Sequence, residues 1–401
     1  MKKKKIKKSV FGVLLSILLL TNVSRVKADS VPAGSTIRDV GIYNCAVYSF
    51  YRTGDKDFTH VFTEEELSSI EYLNCGEMVK REMLNNTTDL SDLSKFPNLK
   101  SLTLQDAPGV HSIDLSNYNL SFLNLRNLSV DNVNVSHMTN LSTINLIDLN
   151  ISAVDLSNKP SLKNVLVRSE GVTSLNITNS PNIEALVLDK TKINSLDISA
   201  LSSLNRLQMI GTKGLTSLNT SNNPNLTSIN ISGTTIQALD ITNNTNLDYL
   251  DISGSNVTSI NAPETKPLVN GANVLTTIKT NYSTFGELKT LFRGKLQGGL
   301  FPGGDYVDNI SDSTAIPTGS VVGMSETGTS FYVIFAGDTT QDGKIDMKDV
   351  LQTYNHQRHQ TDSTKPLIAD VKSQKAADFN SDEKVDMVDV LLIYEEQKSN
   401  Q

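Results

Sequence analysis

Residues 225–245 read NLTSINISGTTIQALDITNNT, and aliphatic residues occupy positions 2, 5, 7, 12, 15 and 17 of this 21-residue segment. The pairs at positions 5 and 7 and at positions 15 and 17 have a spacing of two, which is typical of short strands that point alternate side chains into a core. The turns between them are rich in Asn, Ser, Thr and Gly, which accommodate sharp corners. The segment therefore predicts two short strands joined by tight turns.

The same pattern recurs from residue 98 to about residue 262. A single copy cannot bury six aliphatic side chains, so the copies must stack into a solenoid with one continuous core. Two copies carry glycine at position 12, Gly109 and Gly214, with the aliphatic residue one place later, and we expect their turns to bulge. The copies follow one another at intervals of 21 residues, with one interval of 22, and start at Asn98, Asn119, Asn140, Ser161, Asn182, Ser203, Asn225 and Asn246.

This L-x-x-L-x-L spacing resembles leucine-rich repeats, of the short bacterial kind found in surface proteins similar to the internalins. Side chains at positions 6 and 8 of the first strand point outward, and the middle repeats place aliphatic residues there. A contiguous apolar stripe predicts a partner-binding surface, and lateral packing against a neighbouring loop is the alternative. The residues of this predicted repeat surface are Ile147, Leu166, Arg168, Val187 and Ile210.

Position 16, on the second strand, carries Asn or Asp in nearly every repeat, for example Asp155, Asn176 and Asp240. We expect these side chains to form a hydrogen-bonded ladder along the stack. A row of calcium sites is the alternative.

The N-terminus has the features of a secretory signal peptide. A basic head precedes an apolar run from Val10 to Leu20, and the segment ends in Val-Lys-Ala, which predicts cleavage after Ala28 and export without a membrane span. The whole chain has a net charge of −7, and loss of this segment, with its eight basic residues and no acidic ones, leaves about −15. Such an acidic protein repels phosphate backbones, so nucleic acid is not expected as a partner.

Residues 29–97 are predicted to cap the first repeat. The stretch FTEEELSSIEYLNC (62–75) predicts an amphipathic helix in which Thr63 and Glu66 form a capping box. Cys45 and Cys75 could form a disulfide in an exported protein or remain buried thiols.

Two acidic loops, GDTTQDGKIDMKDV (337–350) and ADFNSDEKVDMVDV (377–390), repeat each other forty residues apart. Each has oxygen-bearing side chains at positions 1, 3, 5, 9 and 12 of a 12-residue loop, which is the ligand spacing of an EF-hand calcium loop. Gly343 allows the sharp turn at position 6 of the first loop, where Glu383 stands in the second. The predicted ligands of two calcium ions are Asp338, Thr340, Asp342, Lys344 through its carbonyl, Asp346 and Asp349, and then Asp378, Asn380, Asp382, Lys384 through its carbonyl, Asp386 and Asp389.

An apolar helix is predicted after each loop, at 349–357 and 389–397, and matching apolar residues allow the two halves to pack face to face. The duplicated loop-helix unit resembles a type I dockerin. The resemblance implies calcium-dependent binding to a cohesin module of a scaffold or cell-surface protein. It also implies recognition through loop positions 10 and 11, which are Met347, Lys348, Met387 and Val388.

The predicted fold is a multidomain α+β arrangement: cap (29–97), leucine-rich-repeat β-solenoid (98–269), small β-rich spacer module (270–336) and an all-α dockerin domain with paired EF-hand-like loops (337–401). Residues 284–292, TFGELKTLF, predict a helix within the spacer module.

The five histidines are scattered, there is no Trp to stack sugars, and a regular solenoid offers no deep pocket for paired carboxylates. We therefore predict a secreted, non-catalytic protein that docks onto a cohesin and binds a second protein or surface ligand through its repeats. The alternatives are a free adhesin with a calcium-stabilised tail, and an accessory protein of polysaccharide degradation that binds glycan.

Overall fold

The structure is a computed structural model. It describes residues 28–51, 56–76, 84–262, 276–292, 296–300, 306–308, 310–318, 320–324, 330–359, 368, 371–381 and 384–399. The predicted signal peptide up to residue 27 lies outside the described residues, as do the predicted ligand Asp382 and its neighbour Glu383. Within the described ranges, no helix has both the length and the apolar character needed to cross a membrane.

The cap consists of helix α1 (Val40–Phe50), helix α2 (Glu64–Ser69), strand β1 (Tyr72–Cys75) and a 3-10 helix (Ser91–Lys95). The capping box of Thr63 and Glu66 is present at the start of α2, as predicted. The predicted helix is wrong beyond Ser69, because β1 pairs in parallel with the first strand of the repeats and buries Leu73 and Cys75. Residues 72–75 therefore form a strand with alternate side chains buried, and not the last turn of a helix.

Helix α1 was not expected from the sequence. Its N-cap is Asp39, whose carboxylate accepts a hydrogen bond from the N–H of Ile42 at 2.8 Å. A disulfide between Cys45 and Cys75 joins this helix to β1 across a Cα–Cα distance of 5.1 Å. Of the two alternatives left open by the sequence, the structure therefore has the disulfide.

The first strands of the eight repeats form a continuous parallel sheet, which is the concave sheet of the solenoid. Each strand pairs with the one 21 or 22 residues later, so the repeat interval sets the register. Inward side chains such as Leu186 and Leu188 are fully buried. The strands are β2 (Ser101–Ala107), β3 (Phe122–Leu128), β4 (Thr143–Ile147), β6 (Asn164–Arg168), β8 (Ala185–Asp189), β9 (Arg206–Gln208), β11 (Ser228–Asn230) and β13 (Tyr249–Asp251).

Second strands form in only five repeats, so the prediction of two strands in every repeat is wrong. They make one sheet of two strands and another of three. The repeats that begin at Asn98, Asn119 and Asn182 have no second strand, whereas the repeat with the shift at Gly214 forms one that pairs in register with the next repeat. The second strands are β5 (Ala153–Asp155), β7 (Ser174–Asn176), β10 (Ser217–Asn219), β12 (Ala238–Asp240) and β14 (Ser259–Asn261).

The shifted turn at Gly214 requires glycine. Its φ is +110°, and an added Cβ would lie 2.8 Å from the carbonyl oxygen of Ile193 in the preceding repeat. Leu215 is buried in the aliphatic place. The delayed aliphatic residue thus still reaches the core.

The position-16 side chains mostly bond within their own turn rather than along the stack. Asp155 accepts from the N–H of Ser157 at 2.9 Å, and Asn176 accepts from the N–H of Thr178 at 3.2 Å. One bond of the predicted ladder is present, from Nδ2 of Asn261 to Oδ2 of Asp240 at 3.1 Å. The ladder prediction is therefore largely wrong, because the N–H two residues ahead is the nearer partner.

The predicted spacer module continues the concave sheet. Strand β15 pairs in parallel with β13, and β19 pairs in parallel with β15. The sheet then turns antiparallel through β18, β16 and β17, which gives 14 strands from β1 to β17 in the described residues. The predicted helix is present as α3, beginning after Thr284. The elements are β15 (Thr276–Thr280), α3 (Phe285–Leu291), β16 (Leu296–Leu300), β17 (Tyr306–Asp308), β18 (Val321–Met324) and β19 (Ser330–Phe335).

The C-terminal region is helical: α4 spans Met347–His359, α5 spans Val371–Ala377 and α6 spans Met387–Ser399. Helices α4 and α6 begin two residues earlier than predicted, and α5 was not predicted. Val350, Val390 and Ile393 form a small core between the halves, with Ile345 and Phe379 against it.

Candidate functional site

The two acidic loops share one hydrogen-bond pattern. The last carboxylate of the first loop, Asp349, accepts from the N–H of Thr340 at 2.9 Å and from the N–H of Asp346 at 2.8 Å. The corresponding bonds of the second loop join Asp389 to the N–H groups of Asn380 and Asp386, at 3.1 and 2.9 Å. The position-12 side chain thus closes each loop onto the start of the following helix.

Two carboxylates of the first loop are buried close to each other. Asp338 and Asp349 have no solvent exposure. The pKa of Asp338 is raised to about 6, chiefly by burial and also by the nearby charge of Asp349, against N–H groups that lower it. Burial likewise raises the pKa of Asp349. A bound cation would offset the cost of keeping these two like charges away from water.

The remaining first-loop ligands predicted from the sequence lie at its surface. Asp342 is exposed and Asp346 is half-buried, and their carboxylates accept from the N–H groups of Lys344 and Lys348, at 3.1 and 2.6 Å. No group of three or more Asp, Glu, His or Cys side chains is close enough to hold an ion in the part of the chain that the structure describes. The described residues therefore place the predicted donor groups on the first loop, but three of their carboxylates do not lie close enough together to bind one ion.

The donor set suits calcium. Carboxylate, hydroxyl and carbonyl oxygens are the ligands this ion takes, and the buried pair of carboxylates provides the charge. Asp338, Thr340, Asp342, the carbonyl of Lys344, Asp346 and Asp349 would hold an ion in the first loop. The described donors of the second loop are Asp378, Asn380, the carbonyl of Lys384, Asp386 and Asp389.

The first loop depends on a glycine at its sixth position. Gly343 has a φ of +78°, a conformation that L side chains rarely adopt, and its N–H donates to Oδ2 of Asp338 at 3.2 Å. The turn therefore directs a backbone N–H at the first predicted ligand.

Helices α4 and α6 expose matching apolar side chains. Leu351 and Leu391 are each 57 % exposed, although the sequence suggested that they pack between the halves. The valines one residue earlier, Val350 and Val390, are buried there instead. The exposed apolar surface is formed by Met347, Leu351 and Tyr354 on α4 and by Met387, Val388, Leu391 and Tyr394 on α6. It includes three of the four residues predicted for cohesin recognition; the fourth, Lys348, is exposed and lies 3.9 Å from Asp342.

The concave sheet interrupts the predicted apolar stripe. Leu166 and Val187 are register partners in one row, but Gln208 follows them. Ile147 and Ile210 belong to the other row, and Arg168 and Asp189 stand between them. All four aliphatic residues are half-buried.

Arg168 and Asp189 belong to a polar network on this sheet. Their side chains lie 3.3 Å apart, and Nε2 of Gln208 donates to the same Asp189 carboxylate at 3.0 Å. Nη2 of Arg206 in turn donates to Oε1 of Gln208 at 2.8 Å. The repeat surface is therefore mixed polar and apolar.

The second acidic loop is seated on strands β13 and β15 of the concave sheet by a buried polar cluster that sequence reasoning missed. Asp251 and Lys279 are register partners on β13 and β15, and both are fully buried, with Nζ 3.6 Å from Oδ2. Ser381 donates to Asp251 at 2.7 Å and accepts from Lys279 at 2.6 Å, and Lys279 also donates to the carbonyl of Asp378. We call Asp251, Lys279 and Ser381 the seat cluster.

The first loop has its own contact with the body. The backbone N–H of Thr318 donates to Oδ2 of Asp338 at 2.8 Å, and both residues are fully buried. Each acidic loop therefore contacts the preceding part of the chain through its first four positions.

Comparison with known protein families finds the dockerin type I domain over residues 336–396. This C-terminal segment is thus a type I dockerin, a calcium-binding and non-catalytic domain type, attached to a β-solenoid body. No curated protein sequence matches the chain.

Three solved structures from Listeria monocytogenes are similar to the chain. An internalin (inlF) is 19 % identical over 63 % of this chain and 79 % of its own, with a TM-score of 0.40. Internalin C2 is 19 % identical over 60 % of this chain and 93 % of its own, with a TM-score of 0.37. An internalin-like protein, lmo2027, is 14 % identical over 76 % of this chain and all of its own, with a TM-score of 0.36.

Proposed function

We propose that this protein is a secreted, non-catalytic binding protein whose dockerin, loaded with two calcium ions, docks onto a cohesin of a scaffold or cell-surface protein. The repeats bind a second protein. Support for the first part comes from the family match at 336–396, since dockerin domains bind cohesins and their proteins are usually extracellular.

The observation that carries the proposal is the exposed apolar surface on α4 and α6. Leu351 and Tyr354 recur as Leu391 and Tyr394, in equivalent places of two quasi-symmetric halves. Exposed apolar side chains clustered on two adjacent helices are typical of a partner interface. The loops position this surface, because each position-12 carboxylate holds the first turn of its helix.

Calcium acts on this surface through the loops. An ion held by Asp338 and Asp349 would neutralise a buried pair of charges and fix the start of α4. The second ion would do the same for α6 through Asp389. Cohesin binding is therefore expected to require calcium.

The test is calorimetric titration of residues 29–401 with the cohesins of the source organism, in calcium and in chelator. The variant carries Leu351→Glu and Leu391→Glu, and its matched control is Val61→Glu, which changes another exposed aliphatic residue, 43 % exposed, in the cap. We expect calcium-dependent binding that the double variant weakens by about a hundredfold or more and the control leaves unchanged. A calcium-loaded chain that binds none of the cohesins would refute the docking function.

A further inference from the structure

A cleft separates the concave sheet from the second half of the dockerin. It comprises two adjoining cavities of ≈ 560 and ≈ 1010 Å³ that share Arg206 and Gln208. One wall is the outward face of the repeat strands. The other wall includes Asn380 and Val388 beside the first cavity and Lys375 beside the second.

The cleft is basic although the protein is acidic. The described side chains that line it include five Lys and Arg, against three carboxylates, in a chain with a net charge of −7. One carboxylate, Asp189, is already bonded to Arg168 and Gln208. The other two, Asp378 and Asp386, are second-loop donors that calcium would neutralise. The five basic residues are Arg168, Lys190, Arg206, Lys375 and Lys384.

Aliphatic side chains alternate with these basic ones. Leu166, Val187 and Ile210 lie on the sheet wall, and Val388 faces them from α6. The aromatic residues that usually stack on sugar rings are nearly absent: Tyr249 is the single aromatic side chain among the described lining residues other than His356, and the chain has no Trp. This lining favours a peptide over a polysaccharide.

The cleft has the length of a short extended peptide. The wall formed by the sheet runs from Asn145 on β4 to Tyr249 on β13 and spans six neighbouring strands. Because neighbouring strands are about 4.8 Å apart, this wall is about 24 Å long, and an extended chain of about seven residues covers that distance.

We propose that this cleft binds an extended segment of a partner protein in which acidic residues alternate with aliphatic ones. Its carboxylates would pair with Arg206 from the repeats and with Lys375 and Lys384 from the dockerin. The proposal names the ligand class of the repeat surface and rests on the proposed function to that extent. It also makes the dockerin part of the site, so the predicted repeat surface does not act alone.

The test uses a fluorescein-labelled peptide of sequence ELELELE, with KLKLKLK as the charge-reversed control, titrated into calcium-loaded residues 29–401. The variants are Arg206→Glu and Lys375→Glu, one on each wall, and the matched control is Lys192→Glu, an exposed lysine outside the cleft. We expect the acidic peptide to bind to the unmodified protein, and each cleft variant to weaken this binding about tenfold or more. We expect the Lys192 variant to leave the binding unchanged and the basic peptide not to bind.

Binding that survives both cleft variants, or no binding of the acidic peptide, overturns the inference. Oligogalacturonate binding that depends on the same arginine and lysine, without peptide binding, overturns the assignment to a protein segment. Cohesin titration of the same variants separates the two proposals, because Arg206 and Lys375 lie off the exposed apolar surface. Unchanged cohesin binding with lost peptide binding supports both proposals, whereas peptide binding without any cohesin binding refutes the docking function alone.

Discussion

Lys279→Met tests how firmly the dockerin is seated on the repeats. The ammonium group of Lys279 is fully buried and contacts Asp251, Ser381 and the carbonyl of Asp378. Removing one partner of a buried ion pair costs about 3–5 kcal/mol, because the other charge stays buried. Asp251 keeps its bonds from Ser381, Tyr249 and Ser253, so we expect the low end, about 3 kcal/mol.

Native-state hydrogen exchange followed by mass spectrometry measures this change locally. Amides of 371–381 exchange when the loop leaves its seat, and a loss of about 3 kcal/mol accelerates that exchange by about two orders of magnitude. Lys289→Met is the matched control, since Lys289 pairs with Asp312 at 3.5 Å on the surface, and exposed pairs contribute less than about 1 kcal/mol. Exchange in 371–381 that changes less than about threefold in Lys279→Met would refute the reasoning.

Four further outcomes are expected. Asp349→Asn should weaken calcium binding at the first loop about tenfold or more in calorimetry, because an amide replaces a buried carboxylate that also accepts from two N–H groups. Asp312→Asn, which changes an exposed residue outside the loops, should leave calcium binding unchanged. Gly343→Ala should destabilise the first loop by about 1–2 kcal/mol, read as a shift in its calcium-dependent melting, because alanine is strained at a φ of +78°; an unchanged transition would contradict the turn geometry. Chelation should speed hydrogen exchange in 336–396 and leave the repeat strands protected, and equal loss of protection in both would show that calcium stabilises the whole chain. Replacing both Cys45 and Cys75 by Ala should lower the stability of the cap by about 2–4 kcal/mol in urea unfolding, and no change would mean that the cap packing alone holds α1 to β1.

The solenoid could be predicted from the sequence because the same physical requirement repeats in every copy. Each repeat places aliphatic residues at the same inward positions, and the structure buries them. Examples from one repeat are Leu226, Ile229 and Ile231, all of which are fully buried. The second strands were over-predicted for a physical reason. Two aliphatic residues spaced two apart show that both side chains point inward, but they do not show whether so short a segment pairs with its neighbours.

The dockerin was also predictable, since the spacing of its oxygen-bearing side chains and the glycine at position 6 of the first loop are local properties of the chain. The exposure of Leu351 and Leu391 was not, because a helix pattern shows which residues share a face but not whether a partner covers that face. The missed helix α1 has no polar face that marks it, as seven of its eleven residues are buried.

No pattern in the sequence predicts the seat cluster. Asp251 occupies the same outward strand position as Asn230 and Gln208, and nothing in its neighbours marks it as different. Its burial arises because Lys279 stands beside it on the next strand and Ser381, 130 residues along the chain, covers both. A pair of charges is stable there only while the second acidic loop supplies the remaining hydrogen bonds. The position of the dockerin, and hence the cleft beside it, therefore depends on three side chains that contact one another only in the folded protein.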